Sequence, residues 1–238
     1  MNADELFTEL HEYCLAHVNG DNIIKYSRYF KGGFDAYGLS QPQMNEQTKE
    51  ILKRKDFDIK VLIEVSPLLM STHKYEETSF ALLLFNGLHK QFDAVSFETI
   101  AGWFKISIHN WAHADMLGMF ILPKFLLKSI VAIDDFKPWL SSPYKFQRRC
   151  VPVTFIKLLK TDIEYGILFR FIEPLMTDPE REVHQGAGWF LREAWKKKPE
   201  ETEAFLMKWK DISPRLIFQY ACEKMTPENK LRFRKVKA

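Results

Sequence analysis

Trp111 and Asp115 stand four residues apart in Asn110-Trp111-Ala112-His113-Ala114-Asp115, near the middle of the chain. On a helix this spacing sets an indole and a carboxylate side by side on one face. A carboxylate resists burial unless a cation meets it, and an indole face attracts positive charge. The pair therefore suits a ligand that is flat or sugar-like and carries positive charge. A structural arrangement fits the same residues: Trp111 in the core and Asp115 paired with an Arg or Lys of the next helix.

Other chemistry is poorly served. His109 and His113 have the i, i+4 spacing of a zinc-protease helix, but Asn110 stands where that mechanism needs a glutamate, and no third ligand is evident. Cys150 follows Arg148-Arg149, which would lower a thiol pKa, yet no histidine is placed to serve it. There is no Gly-rich phosphate loop. Neither a metal nor an organic cofactor is expected.

The elements that must position Trp111 and Asp115 read as helices throughout. The 238 residues include only 10 Gly and 11 Pro, few for an all-β protein of this length. Apolar positions recur at helical spacing from Asp4 to Val18, and Asn19-Gly20-Asp21 reads as a stop followed by a new cap. Further helices are expected over 22–31, from Gln41 to about Lys53, and from Phe57 to Leu69 with a bend at Pro67. Others span Tyr75 to His89 and Phe97 to Ile106, the latter capped by Ser96. The central helix runs from Asn110 to Leu122, followed by one from Pro123 to about Ile133 and a short one to Leu140. After Ser141-Ser142-Pro143 come helices over 144–160 (kinked at Pro152), 162–176 and 182–197. Pro199, Pro214 and Pro227 open the last three. The basic tail Arg232-Phe233-Arg234-Lys235-Val236-Lys237 is expected to fray.

The formal charge of +3, from 34 basic and 31 acidic side chains, does not by itself announce nucleic-acid binding. Three scattered cysteines suit a reduced, cytoplasmic compartment. The first residues lack an apolar signal core, and Pro123, Lys124 and Lys128 interrupt the most apolar run, so no membrane association is expected.

Tyr75, Trp111, Arg149 and Trp189 follow one another at 36, 38 and 40 residues. This is near the period of HEAT-type helix pairs. The expected fold class is all-α, a HEAT-like helical-repeat solenoid with a concave groove, in one domain over 1–238. Trp111, Asp115, Arg149 and Trp189 are the candidates for the groove surface.

Five pieces of the chain, in order, resemble the DNA alkylation repair glycosylases, the AlkD-like group of HEAT-like repeat proteins. They are Tyr29-Phe30-Lys31 with the Tyr37-Gly38 turn, Tyr75-Glu76-Glu77 leading into Ala81-Leu82-Leu83-Leu84, Asn110-Trp111 through Asp115, Arg148-Arg149 after Ser141-Ser142-Pro143, and Gly188-Trp189-Phe190-Leu191-Arg192-Glu193. The resemblance implies a monofunctional glycosylase that excises cationic N3- and N7-alkylpurines from double-stranded DNA. It assigns the catalytic constellation to Trp111, Asp115, Arg149 and Trp189, with Tyr29 as the N-terminal tyrosine. Pro152, close behind Arg149, departs from the family pattern.

The leaving base of such a lesion is already positive, and the sugar becomes oxocarbenium-like as the bond to C1′ stretches. Asp115 would stabilise that sugar and position water, the two indoles would pack on deoxyribose, and Arg149 would hold a phosphate. The resemblance further implies that sugar and backbone contacts suffice, without a pocket for a flipped base. Candidates for DNA contact are Tyr29, Lys31, His73, Lys74, Arg148, Arg192 and Lys196-Lys197-Lys198. A monomer is expected. The competing expectation is a non-catalytic HEAT-repeat scaffold for nucleic acid or protein. Asp115 with both tryptophans separates the two, because a scaffold does not need them.

Overall fold

Polar caps decide where the helices begin. In the computed structural model, which describes residues 1–234, the regular elements are helical, with no strand among the described residues. Lys235, Val236 and Lys237, the end of the basic tail, lie outside the described residues. The chain divides into two compact units, Met1–Met116 and Leu117–Ala238.

The first unit holds α1 (Ala3–Ala16), α2 (Gly20–Ser27), α3 (Gln41–Leu52), α4 (Ile59–Ser71), α5 (Tyr75–Gly87), α6 (Ala94–Ile106) and α7 (Trp111–Met116). Asn2 caps α1 in a reciprocal box with Glu5, Asn19 accepts from the Asn22 amide, and Asp58 accepts from the Lys60 and Val61 amides. α5 packs against α1, α3, α4 and α7, and is buried on nearly every side from Glu76 to Phe85. It is therefore the central rod of its unit.

Two local expectations change here. Ser96 does not cap α6. Asp93 does, and Ser96 is the third helical residue of its capping box, its hydroxyl donating back to the Asp93 carboxylate at 2.6 Å. α2 ends at Ser27 rather than Lys31, because the amides of Tyr29 and Phe30 turn back three residues to Tyr26 and Ser27. Tyr29-Phe30-Lys31 thus leaves the helix as a tight turn.

The second unit holds a π-helical turn (Leu117–Ile121), α8 (Leu122–Leu127), α9 (Lys137–Leu140), α10 (Lys145–Leu158), α11 (Tyr165–Ile172), α12 (Arg181–Trp195), α13 (Pro199–Trp209), α14 (Arg215–Ala221) and α15 (Pro227–Arg232). α8 stops well short of Ile133. Ser129 adopts a left-handed φ of 55°, and the Ile130 amide reaches back to the Phe125 carbonyl at 2.9 Å. Pro152 stays inside α10, at the cost of one main-chain hydrogen bond.

α12 lies against both α10 and α14. Its Gly186 and Gly188, two residues apart, point roughly 200° from one another around the helix. A Cβ on Gly186 would lie 3.0 Å from Arg149 Cγ, and one on Gly188 would lie 2.6 Å from Tyr220 Cβ and 2.7 Å from the Ile217 carbonyl oxygen. The Gly-Ala-Gly-Trp segment thus gives α12 a close approach on each side. The tail is also firmer than expected as far as Arg234. Phe233 is fully buried over Phe218, the Arg215 guanidinium donates to its carbonyl at 2.6 Å, and Arg232 pairs with Glu203 at 2.6 Å.

These contacts set opposite expectations for two glycines. Gly188→Ala should lower stability by about 1–3 kcal/mol, because backbone stands where the methyl must go. Gly102→Ala, in the exposed interior of α6 with open space around it, should raise stability by about 0.5–1 kcal/mol. Urea unfolding of both variants checks the pair.

Candidate active site

Asn110 sets the start of α7, the helix that carries Trp111 and Asp115. Its side-chain oxygen accepts from the His113 amide at 2.9 Å, its carbonyl accepts from the Ala114 amide at 3.3 Å, and its Nδ2 donates to His113 Nδ1 at 2.9 Å. The protonated Nε2 of the same ring is then left to donate to the Ser79 hydroxyl at 3.0 Å. His113 also stacks on Tyr75, ring centroids 4.6 Å apart. It is a core residue that locks α7 onto α5, which accounts for it without a metal. His109 is exposed and stacks on His73. Among the described residues no group of three acids, histidines or cysteines is placed to hold a metal ion.

With His113 turned inward, Trp111 faces outward on the same helix and is 42% exposed. Its indole Nε1 donates to the Tyr29 carbonyl at 3.1 Å, and its ring lies nearly parallel to Phe30, centroids 5.7 Å apart. Asp115 is half-buried one turn along. Tyr29 and Trp111, distant in sequence, are therefore brought together. The Tyr29 ring is exposed and lies under the Arg28 guanidinium, which donates to the Tyr29 hydroxyl at 3.0 Å. Lys31 is exposed in the same turn.

Of the rings around this contact, sequence reasoning passed over Tyr26 and Phe34 and did not place Phe30 or Tyr75 beside Trp111. Tyr26, Phe30, Phe34, Tyr75 and Trp111, with Glu76, line a cavity of about 340 Å³ within the first unit. Phe30 stacks on Phe34 with centroids 4.6 Å apart, and Tyr75 packs at an angle against both. The signal was the aromatic density of residues 26–37, part of which reads simply as loop.

Glu76 fixes the chain beside that cavity. It is 1% exposed, yet its carboxylate accepts from three main-chain amides: Tyr37 at 2.9 Å, Gly38 at 2.7 Å and Leu39 at 3.1 Å. Gly38 has φ +87°, and a Cβ there would fall 2.2 Å from the Asn19 carbonyl oxygen, so the turn admits only glycine. Glu77 beside it accepts from the Tyr37 hydroxyl at 2.9 Å and pairs with His11 at 2.7 Å. Burial, then the bond to Glu77, pushes the Tyr37 phenol well above its usual range.

In the second unit, Arg149 is almost fully buried, and its guanidinium donates to the Glu182 carbonyl at 2.7 Å. Its aliphatic stem lies against Gly186. Trp189, half-buried, is one turn further along α12, so the two sit on neighbouring helix faces. Arg148 serves the structure. It forms a two-pronged pair with Asp178, at 2.6 and 3.1 Å, and donates to the Ser142 carbonyl at 2.6 Å.

Several predicted phosphate contacts likewise have protein partners. Arg192 pairs with Glu193 at 3.1 Å and with Glu223, Lys196 with Glu193 at 2.9 Å, Lys198 with Glu201 at 2.9 Å, and Lys74 with Asp35. Cys150 is buried, and burial raises the thiols of Cys14 and Cys222. None of this suggests a thiol nucleophile.

Comparison with known proteins agrees with the helical architecture. A family model described as DNA alkylation repair enzyme matches residues 14–225. Three solved structures share the fold. A predicted DNA alkylation repair enzyme from Enterococcus faecalis has a TM-score of 0.76 at 16% identity, covering 88% of this chain and 97% of that one. AlkD2 from Streptococcus mutans has a TM-score of 0.61 at 18% identity, covering 87% of this chain and 98% of its own. The protein smu.31 from Streptococcus mutans UA159 has a TM-score of 0.59 at 19% identity, again covering 87% and 98%. No curated protein sequence matches the chain. The fold is of the all-α, helical-repeat class. The chain belongs to the DNA alkylation repair enzyme family, with DNA as the implied partner. Among the described residues, no helix is long and apolar enough to cross a membrane.

Burial of His113 carries a pH signature. Desolvation pushes its imidazole down to about 3 from the usual 6.5. Between those values the unfolded chain binds a proton that the folded chain refuses, so stability rises with pH across the window. This contribution is complete above the unfolded pKa and is lost as the pH falls towards the folded one. Denaturant titrations should show a slope approaching about 1.4 kcal/mol per pH unit from this residue. His113→Gln should flatten the slope while lowering stability at neutral pH.

Proposed function

We propose that the protein is a monofunctional DNA glycosylase that hydrolyses the N-glycosidic bond of cationic N3- and N7-alkylpurines in duplex DNA. The main support is the pairing of Trp111 and Asp115 on one turn of α7, with the indole braced against the Tyr29–Phe30 turn at an exposed face. A rigid, half-exposed indole beside a carboxylate suits a sugar that turns cationic as its base departs.

In this reading Asp115 supplies the negative charge that the oxocarbenium-like sugar needs, and orients the attacking water. A cationic base leaves without needing a protein acid, and the departing electron pair neutralises it. Water adds to C1′ and gives up a proton, which leaves an abasic site and a neutral base. Trp111 and Trp189 provide ring faces for deoxyribose. Arg149 provides a planar fork for a flanking phosphate. Tyr29 and Lys31, exposed in the turn after α2, contact the strand, and Arg148 and Arg192 do so only where DNA displaces their acidic partners. The enzyme acts as a cytoplasmic monomer and uses no metal or organic cofactor.

Release of 7-methylguanine from methylated duplex DNA tests this reading. Asp115→Asn should slow release by about 100-fold or more, the scale of losing one preorganised electrostatic group, while duplex binding persists. If wild type and Asp115→Asn behave alike, a non-catalytic DNA-binding scaffold is the better description.

A further inference from the structure

We infer that His73 and His109, in the loops that lead into α5 and α7, form a clamp for a backbone phosphate of DNA that gains its grip as the pH falls. That the phosphate belongs to DNA rests on the family and on the proposed function, whereas the attraction for an anion rests on the pair itself. The two residues are 36 apart in sequence, yet their rings lie nearly parallel, with an interplanar angle of 23° and centroids 6.3 Å apart. Both are exposed. His73 adopts a left-handed φ of 60°, which histidine enters more readily than most non-glycine residues, and its amide donates to the Met70 carbonyl at 3.1 Å. A backbone held in this region marks a side chain whose direction the surrounding structure dictates.

The acids of the neighbouring elements are committed elsewhere. Asp35 pairs with Lys74, the residue after His73. On α5, Glu76 is held by the amides of Tyr37, Gly38 and Leu39, and Glu77 by the Tyr37 hydroxyl and His11. The last turn of α4 carries no basic residue, and that of α6 carries the exposed Lys105. Asp115, the acid of α7, does not bear on His109. Partial burial, then the charge of His73, holds the His109 imidazole below its usual range, while the Phe104 carbonyl that accepts from it acts the other way. Two imidazolium rings side by side repel, and one anion between them offsets that repulsion. A phosphodiester spreads its charge over two oxygens, each able to accept one imidazolium N–H. A metal is the poorer occupant, since the described residues offer no third ligand beside the pair.

The clamp lies next to the proposed site. His109 precedes Trp111 by two residues, and the bonds of Asn110 to His113 fix the chain between them. A strand held there by its phosphate passes beside the exposed indole. Proton uptake and phosphate binding favour each other, so the sign is fixed: affinity rises as the pH falls through the histidine range and is lost as it rises. With His109 held low, the second charge arrives in the lower part of that range.

The test is the affinity of the intact protein for an undamaged duplex, read by fluorescence anisotropy at fixed salt. Wild type should bind at least about tenfold tighter at about pH 5.5 than at about pH 7.5, the scale of taking up one or two protons over that range. Its salt dependence should steepen by about one or two phosphate contacts over the same interval. The double variant His73→Asn with His109→Gln should lose most of both changes, with a thermal melt reporting that it is folded; asparagine is chosen because it tolerates the left-handed backbone. His109→Lys, charged throughout, should bind the duplex at neutral pH more tightly than wild type does. A duplex affinity indifferent to pH, the same pH dependence in the folded double variant, or no gain in His109→Lys would overturn the clamp. So would inorganic phosphate that saturates both imidazole resonances in proton NMR while leaving duplex affinity unchanged, which would assign the pair to free phosphate. Base release from methylated DNA with duplex binding indifferent to pH would sink the clamp and leave the glycosylase reading intact. Duplex binding gated by the two histidines without base release would do the reverse.

Discussion

A single buried carboxylate organises the first unit. Glu76 is out of contact with water, and a bare charge there would cost several kcal/mol. Three main-chain amides from Tyr37 to Leu39 meet that cost, and the first turn of α5 adds the favourable end of a helix dipole. The exchange works both ways. The amides of a loop without regular structure find their acceptor, and the acid finds its donors. The Asn19 amide in turn donates to the Tyr37 carbonyl at 2.8 Å, so the start of α2 is tied to the same loop. The position of the Tyr29–Phe30 turn, and with it the brace on Trp111, follows from this arrangement.

The second unit relies on packing without side chains. α12 reaches its neighbours through two glycines on opposite sides, and Gly118 lets the π-helical turn approach Val153 and the Cys150 carbonyl in the same way. Close helix approach of this kind gains dispersion contacts and gives up backbone rigidity in the unfolded chain. It also fixes the setting of Arg149, whose stem fills the space left by Gly186 and whose guanidinium meets the Glu182 carbonyl.

His113 shows how a motif can mislead. Two histidines at i and i+4 invite a metal, but His109 precedes α7 and is exposed, and His113 alone faces into the protein. There it is consumed by Asn110, Ser79 and Tyr75. The resulting desolvation keeps the ring neutral, and a neutral ring wedged between α5 and α7 is what lets Trp111 point the other way. Arg148 and Arg149 divide similarly. Adjacent on α10, they face different partners, with Arg148 bound to Asp178 and Ser142 and Arg149 turned towards α12.

The helices and their approximate limits were legible in the sequence, because periodicity, caps and prolines are local signals, whereas Tyr29 was linked to Trp111 only through the family resemblance. The errors fell where a distant partner decides. The early end of α8 depends on Ser129 entering the left-handed region, and the order of Phe233 depends on Phe218 and Arg215. The aromatic cavity was invisible for the same reason. Its rings come from the end of α2 and the stretch after it, the start of α5 and the start of α7, and a row of aromatics in sequence does not say which will share a wall. Residue order alone established an all-helical chain with an indole and an acid on one turn. Only tertiary structure decided which basic residues are committed to internal acids and which rings enclose a cavity, because ion pairing and ring packing depend on distances between segments far apart along the chain.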